Sequence, residues 1–480
     1  MTAADATPAI DPAVLRRRRL TLIATIIGSS MAFVDGSVVN IALPTIGREF
    51  DAGLGAQQWV MLSYSLAVAS LYIVSGAVGD RYGRARLFMA GVGIFAVASA
   101  LAGVAPNTGM LIGARVLQGI GGALMTTNSL ALLRATYAED SGRAVGLWTA
   151  WSGIGTMIGP PLGGLLVEYV SWRWIFFINL PGAALALALI WVTRQAEQEQ
   201  SKPRPVQVSG AVAIAITLGA LTYGLIEGAQ SGFPSVWWAF VVSVVGLALF
   251  VFTERRGASP LIPVELLRAR LFVVANVYTF LVYAALGGAT FYLALYLQSD
   301  AVGYSPARAS LIFLPISLVM FFLAPRFGRL ADEHGPRRYL VAAPLVMAAG
   351  FALLTLVTST NPLAPLPGVV VFALGLAILV APITATALRA APNEYAGIAA
   401  GVNTTVSRIG GLIATPLLGV VITLVYTHAA GGDAGDPFGR DLTAEQRDAA
   451  IEAFRAAMAG AVVLCVAGAA VAAKALRSEE

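Results

Sequence analysis

Long windows of this chain carry no charge. No Asp, Glu, Lys or Arg occurs between Arg86 and Arg115, between Arg204 and Glu227, between Glu227 and Glu254, or between Arg270 and Asp300. A helix rises about 1.5 Å per residue and the hydrocarbon core of a bilayer is about 30 Å thick, so roughly 20 apolar residues make one spanning helix. In lipid the backbone must satisfy its own hydrogen bonds, which leaves the helix as the form for such windows. The window from Arg338 to Arg389 is too long for one span, and Asn361-Pro-Leu-Ala-Pro-Leu-Pro-Gly368 divides it in two. Composition agrees: 58% of the 480 residues are apolar and 12% are charged, against about 25% charged in soluble domains. A water-solvated fold and a nucleic-acid partner are both excluded; the partner that surrounds this chain is the lipid bilayer.

Along the whole chain the same reading predicts fourteen spans, near 20–44, 57–78, 87–105, 109–133, 143–168, 174–193, 208–227, 236–253, 271–297, 308–330, 339–358, 368–388, 397–426 and 450–473. Residues 1–19, which end in four arginines at 16–19, read as a polar tail before an uncleaved first span, since the apolar run that follows is too long for a signal peptide. Basic residues set the orientation. With the N-terminus inside, cytoplasmic segments collect most of them, including Arg81, Arg84, Arg86, Arg134, Arg194, Arg255, Arg256, Arg337 and Arg338. The outer loops hold only Arg48, Arg173, Arg308, Arg440, Arg447 and Arg455. Both termini are then cytoplasmic, as an even span count requires, and 428–448 is an external loop. One cysteine, Cys465, and two distant histidines, His334 and His428, point to no metal and no disulfide, and nothing asks for a cofactor.

The chain also repeats itself. Gly76-Ala-Val-Gly-Asp80-Arg-Tyr-Gly83-Arg-Ala-Arg86 follows the second span, and Gly328-Arg-Leu-Ala-Asp332-Glu-His-Gly335-Pro-Arg-Arg338 follows the tenth. Both read G-x-x-x-D-x-x-G-x-x-R on the cytoplasmic side. Eight spans separate them where two equal halves of six would give six. The surplus is the pair 208–227 and 236–253. The chain therefore divides into a tail (1–19), a six-helix half (20–194), linkers with two inserted spans (195–268), a second six-helix half (269–474) and a short tail (475–480). Repeated halves enclosing a central site are a transporter architecture.

Five segments resemble the major facilitator superfamily, and within it the fourteen-span drug:proton antiporters of the QacA/EmrB-like group. Phe33-Val-Asp35-Gly-Ser-Val-Val-Asn40-Ile-Ala-Leu-Pro44 is similar to the first-span motif of that group, and residues 76–86 to the superfamily's loop motif. Arg115-Val-Leu-Gln118-Gly119-Ile-Gly121-Gly122-Ala123 is similar to its fourth-span arginine motif. Gly153-x5-Gly159-Pro160-Pro161-Leu-Gly163-Gly164 resembles the antiporter motif of span five, and Trp172-Arg-Trp-Ile-Phe-Phe-Ile-Asn179-Leu-Pro181 a further hallmark. The resemblance implies an all-α membrane fold of two pseudo-repeated halves, a central cavity beside spans one and four, and loops at Gly76, Asp80, Gly83, Arg84, Asp332, Gly335 and Arg338 that latch the halves.

The residues themselves suit such work. Asp35 lies roughly 14 Å from the outer end of its span, where an ionised carboxylate is costly unless paired or wetted. A carboxyl poised between charged and neutral can exchange a proton for a substrate or a salt bridge; a permanent structural ion pair is the plainer alternative. Arg115, roughly 9 Å deep in span four, approaches the same depth, and Gln118, Gly119, Gly122 and Thr126 share its face. An interaction between Asp35 and Arg115, weakened by proton binding, is expected. Asp80 can pair with a nearby arginine or cap a helix of the other half. The glycines and prolines at 153, 159, 160, 163 and 164 permit a bent helix in close contact with its neighbours, at the interface of the halves or in ordinary packing. Span thirteen holds no acid but has Arg408, with Asn403 nearby. Asn40, Tyr64, Trp151, Gln118, Asn403 and Arg408 are candidate cavity residues. Trp172, Trp174, Trp237 and Trp238 read as interfacial anchors.

The function expected is proton-coupled export of a lipophilic small molecule by a monomer in a bacterial cytoplasmic membrane, an antibiotic or drug being the leading class. Export of an endogenous lipid, siderophore or secondary metabolite is the alternative. A membrane enzyme finds no catalytic set in the sequence, and a receptor would leave the deep acid and duplicated loops unexplained.

Overall fold

The charge-free windows fold as helices joined by short turns. The computed structural model describes residues 11–137, 141–193, 208–257, 261–358, 361, 363–389, 395–432, 435–439 and 441–475, the side chains at 141, 153, 156, 264, 388, 389, 396, 397 and 475 excepted. In chain order the helices are α1 (Pro12–Glu49), α2 (Leu54–Tyr82), α3 (Arg84–Gly103), α4 (Thr108–Tyr137), α5 (Ser141–Tyr169), α6 (Trp174–Phe177), α7 (Asn179–Thr193), α8 (Val208–Ser231), α9 (Phe233–Arg256), α10 (Val264–Arg268), α11 (Arg270–Gln298), α12 (Pro306–His334), α13 (Arg337–Leu354), α14 (Leu366–Arg389), α15 (Ala396–Ala429) and α16 (Ala444–Ala475). The described residues contain no strand.

Local chemistry sets the boundaries. Asp11 caps α1 by accepting the Ala13 N–H at 2.8 Å, and Pro12 occupies its first position. The first helix therefore begins well before residue 20, and the four arginines at 16–19 are helical. Gly83, at φ +100°, ends α2 and opens α3, and Gly335, at φ +82°, does the same between α12 and α13. The two copies of the loop motif thus turn at the same glycine, through a backbone conformation that a Cβ disfavours.

Among the described residues, thirteen helices are long and apolar enough to cross a membrane, with α6 and α7 counted as the single run Trp174–Thr193. The remaining expected span, near 143–168, coincides with α5, a continuous helix of 29 residues that is not among the thirteen. The linker 194–207 lies outside the described residues.

The helices pack in two groups that share one continuous apolar core at their junction. In the first, α1 lies against α4, α5 and α7, while α4 lies against α2 and α3; in the second, α11 lies against α15 and α16, α14 against α12 and α13, and α13 against α16. The groups meet where α5 crosses α12 and where α2 meets α15, with α1 touching α11. The pair α8 and α9 stands against this seam: α8 packs on both α2 and α15, through Leu62, Leu66, Ala69, Leu218, Ile226 and Leu412.

Candidate functional site

The deepest polar cluster is built by five helices. Asp35 of α1 and Arg115 of α4 have side chains 0% exposed, and Arg115 Nη1 donates directly to Asp35 Oδ2. The other carboxylate oxygen, Oδ1, accepts from Gln118 Nε2 at 3.1 Å. Gln118 Oε1 in turn accepts from Arg115 Nη1 at 2.8 Å, and Arg115 Nε donates to the carbonyl of Val60 on α2 at 3.2 Å. Gln118 Nε2 reaches Ser99 Oγ of α3 at 2.8 Å, and Asn179 Nδ2 of α7 reaches the same hydroxyl at 3.4 Å. The guanidinium also lies over the ring of Tyr64, 4.5 Å from its centroid. The i, i+3 spacing of Arg115 and Gln118 places both on the face of α4 that meets Asp35.

An ion pair this dry leans on the hydrogen bonds around it, although Arg115 Nη2 is buried without one among the described residues; removing one partner leaves an uncompensated charge in a low-dielectric interior. Both carboxylate oxygens are engaged, so the pair can change only through a change of charge or of packing. Ser99, Asn179 and the Val60 carbonyl complete the cluster; Asn179 stands in the Trp172–Pro181 motif, while no local pattern distinguishes Ser99, since a serine in an apolar helix carries a signal only once its neighbour is known.

The remaining sequence-derived candidates fall in several places. Tyr64 is buried beneath Arg115, not on an open wall. Asn40 is partly buried, and its Oδ1 makes no hydrogen bond among the described residues. Trp151 is 53% exposed on α5. Asn403 donates to Thr279 Oγ1 at 2.9 Å and Asn276 Oδ1 at 3.3 Å, and with Tyr283, Thr384, Thr404 and Ser407 it lines a cavity of about 210 Å³ among α11, α14 and α15. Arg408, next in sequence to Ser407, lies 5.9 Å from the centre of the Tyr72 ring, across the seam between α15 and α2. Trp172 differs from the expected interfacial anchor. It is 2% exposed and donates to Glu49 Oε2 at 2.5 Å, beside the Arg173–Glu49 ion pair of 2.6 Å, whereas Trp174, Trp237 and Trp238 do face outward.

The α5 motif divides its contacts. A methyl group built on Gly159 would fall 2.0 Å from Ser37 Oγ, and one on Gly163 3.2 Å from Val38, both on α1. Gly155, which the motif reading passes over, faces α1 as well. Gly164 looks the other way, and its added methyl would fall 2.7 Å from the Pro306 carbonyl of α12. Gly153 lies outside the described side chains. One helix thus packs closely against both groups.

In the loop motif Asp80 pairs with Arg84 of its own turn (2.8 Å), not with the second group. Arg84 also donates to the Ala131 carbonyl of α4 at 3.2 Å, and Gly76 faces Thr127 of α4. Asp332 and Arg338 are exposed at the matching turn.

Hydrogen bonds cross the seam at the opposite end of the helices. Gln298 donates to the Ile41 carbonyl at 3.0 Å, Gln58 to the Tyr292 hydroxyl at 2.6 Å, and the Ala307 N–H to Glu168 at 2.8 Å. The two groups are therefore joined at the end that the arginine distribution assigns to the outside.

Other proteins share this chain's pattern. It is 36% identical over 411 residues to the multidrug resistance protein Stp of Mycobacterium tuberculosis (strain CDC 1551 / Oshkosh), covering 85% of this chain and 76% of that one. It is 34% identical over 418 residues to the puromycin resistance protein pur8 of Streptomyces alboniger, covering 85% and 82%. It is 33% identical over 406 residues to a tetracenomycin C resistance and export protein of Streptomyces glaucescens, covering 84% and 75%. In fold it is similar to a bacterial homologue of the human lysosomal transporter Spinster in an inward-facing, unoccupied conformation, with a TM-score of 0.69, 18% identity and 96% and 97% of the chains covered. With residues 25–415 matching the Major Facilitator Superfamily profile, and with resistance transporters among its relatives, this multi-pass membrane protein belongs to the Major Facilitator Superfamily.

Proposed function

We propose that this protein is a proton-coupled antiporter that exports lipophilic small molecules, drugs or antibiotics among them, by alternating access. The observation that carries the reading is the dry Asp35–Arg115 pair, whose oxygens and guanidinium tie α1, α2 and α4 together. Protonating Asp35 would remove one charge of that pair, leave Arg115 to Tyr64, Gln118 and the Val60 carbonyl, and loosen α1 from α4. Fixed contacts then become conditional on a proton, which is what coupling requires. Ser99, Gln118 and Asn179 would hold the neutral carboxyl in place.

The expected fourteen-span topology, with α5 as the fifth span, both termini cytoplasmic and α8–α9 inserted between two six-helix halves, fits the helix order and the packing of the two groups. The seam contacts through Gln58, Glu168 and Gln298 would then close the external side, and the cavity beside Asn403 and Arg408 would belong to the inward-open path. Asp80, Gly83, Arg84, Asp332, Gly335 and Arg338 would act as hinges and latches on the cytoplasmic side. The relatives that confer resistance to puromycin or carry tetracenomycin C support a substrate of that kind, apolar with a few polar groups. The protein is read as working as a monomer in the cytoplasmic membrane of a bacterium.

Everted membrane vesicles test the reading. Imposing an acid-inside pH gradient should drive accumulation of a fluorescent lipophilic dye, and adding dye should in turn collapse part of the gradient. If a broad panel of cationic, neutral and anionic dyes showed no gradient-dependent uptake, export by proton exchange would be ruled out.

A further inference from the structure

Between α15 and α16, residues 435–439 lie across the seam. Phe438 is buried and its ring faces Tyr292 of α11, with centroids 6.1 Å apart. Asp436, two residues earlier, lies at the start of α2 in the other group. Its Oδ1 accepts the Phe438 N–H at 3.0 Å and its Oδ2 accepts from Gln57 Nε2 at 3.4 Å. Gln57 is itself buried, and its Nε2 also donates to the Ala52 carbonyl at 3.1 Å. The other atom of that amide, Gln57 Oε1, is buried and makes no hydrogen bond among the described residues.

This arrangement has one donor too few. A carboxylate only accepts, so the ionised Asp436 cannot serve Gln57 Oε1; a protonated carboxyl carries an O–H that can. We propose that Asp436 is a second proton-binding site, and that its protonated form latches this end of the two helix groups shut. Burial pushes its pKa up from the ordinary aspartate value, with the Phe438 N–H opposing. Closing the seam therefore favours the neutral acid, and closure strengthens as pH falls. The side chain is only partly buried, so protons from the adjoining aqueous phase reach it.

The titratable and charged groups around it among the described residues are few. Tyr426 of α15 interacts with it, Tyr292 of α11 stands behind Phe438, and Asp300 is held by Arg447 of α16 at 3.0 Å while tying down Leu442 and Gly439 further along the loop. From α2 the neighbour is the neutral Gln57. Among the described residues no cation pairs with Asp436, and its donors are the Phe438 N–H and Gln57 Nε2.

The inference rests on the export reading for its direction: with this end outside, the proton-rich side closes the external gate behind an incoming proton. It applies to a carboxyl on a loop, whereas Asp35 lies within α1, and it acts on the gate instead of on the membrane interior. The test uses the full chain in lipid nanodiscs, with Cys465→Ser, Val170→Cys and Glu445→Cys for paired spin labels at this end, and Asp35→Asn to silence the membrane carboxyl. From pH 8 to pH 5 the short-distance, closed population should rise several-fold. Asp436→Asn should hold it closed throughout, Gln57→Leu should flatten the response, and Asp436→Glu should restore a titration. An undiminished pH response in Asp436→Asn, or no response with Asp436 intact, would overturn the proposal. Dye uptake by vesicles of the unsubstituted protein is scored separately: absent uptake with an intact pH-dependent latch would remove the export reading and leave the proton site standing.

Discussion

Arg115 and Asp35, eighty positions apart in the chain, form an ion pair from which water is excluded on every side. Among the described residues no other charged side chain is buried in the first helix group, and both oxygens of Asp35 are already engaged. The pair is therefore both a structural tie and the group most sensitive to a single proton.

Those two roles separate under mutation. Asp35→Asn preserves the shape and the contact with Gln118 but strands the Arg115 charge, at an expected cost of about 3–5 kcal/mol. Arg115→Gln added to Asp35→Asn removes the stranded charge and should recover most of the stability, while gradient-driven dye uptake stays at background in both. Thermal unfolding in detergent, read beside vesicle uptake, checks this as a double-mutant cycle. Uptake at the unsubstituted rate in Asp35→Asn would exclude the carboxyl from coupling.

Tyr64 should be replaceable by phenylalanine and not by leucine. Its ring face, 4.5 Å from the Arg115 guanidinium carbon, supplies the interaction, and no hydrogen bond of its hydroxyl ties the cluster together. Tyr64→Phe is expected to unfold within a degree or two of the parent. Tyr64→Leu should lose about 1–2 kcal/mol from the cation–π contact and more from imperfect packing.

Gly164→Ala should prise α5 from α12. The new methyl meets a backbone carbonyl of Pro306 at 2.7 Å, which cannot rotate away as a side chain does. A cysteine at Ala307, in a Cys465→Ser background, should then react with a membrane-impermeant maleimide at least several-fold faster. Gly159→Ala meets the short, rotatable Ser37 side chain within α1 and should leave that reactivity nearly unchanged.

At the Asp80 turn, Arg84→Ala should cost more stability than Asp80→Ala. The Asp80–Arg84 pair is an exposed i, i+4 contact, with Asp80 62% exposed, and is worth about 0.5 kcal/mol or less. Arg84 adds a hydrogen bond to the Ala131 carbonyl that pins the start of α3 to α4. Melting temperatures of the two variants decide the order. If the loop also gates transport, the uptake rate in both should fall further than their stability does.

The sequence by itself located the apolar helices, showed that the chain repeats, and singled out Asp35 and Arg115 as charges within them. Those are local properties: a window of 20 residues either carries charge or does not, and Gly83 and Gly335 mark equivalent turns wherever the helices pack. It also brought Asp35 and Arg115 to similar depths, because depth is counted along each helix. Facing was another matter. Helices apolar nearly all round leave little in the sequence to show which side turns inward, and tilt and rotation are set by neighbouring helices. Only the tertiary structure therefore decided that Ser99 and Asn179 finish the Asp35 cluster, that Trp172 is buried against Glu49, that Asp80 turns to Arg84 and not to the second group, and that Gly159 and Gly164 serve different partners. It also placed Asp436, in an unremarkable Gly- and Asp-rich loop, beside Gln57, 379 positions away. A polar side chain in a membrane protein acquires its meaning from the group opposite, and that group is chosen by packing.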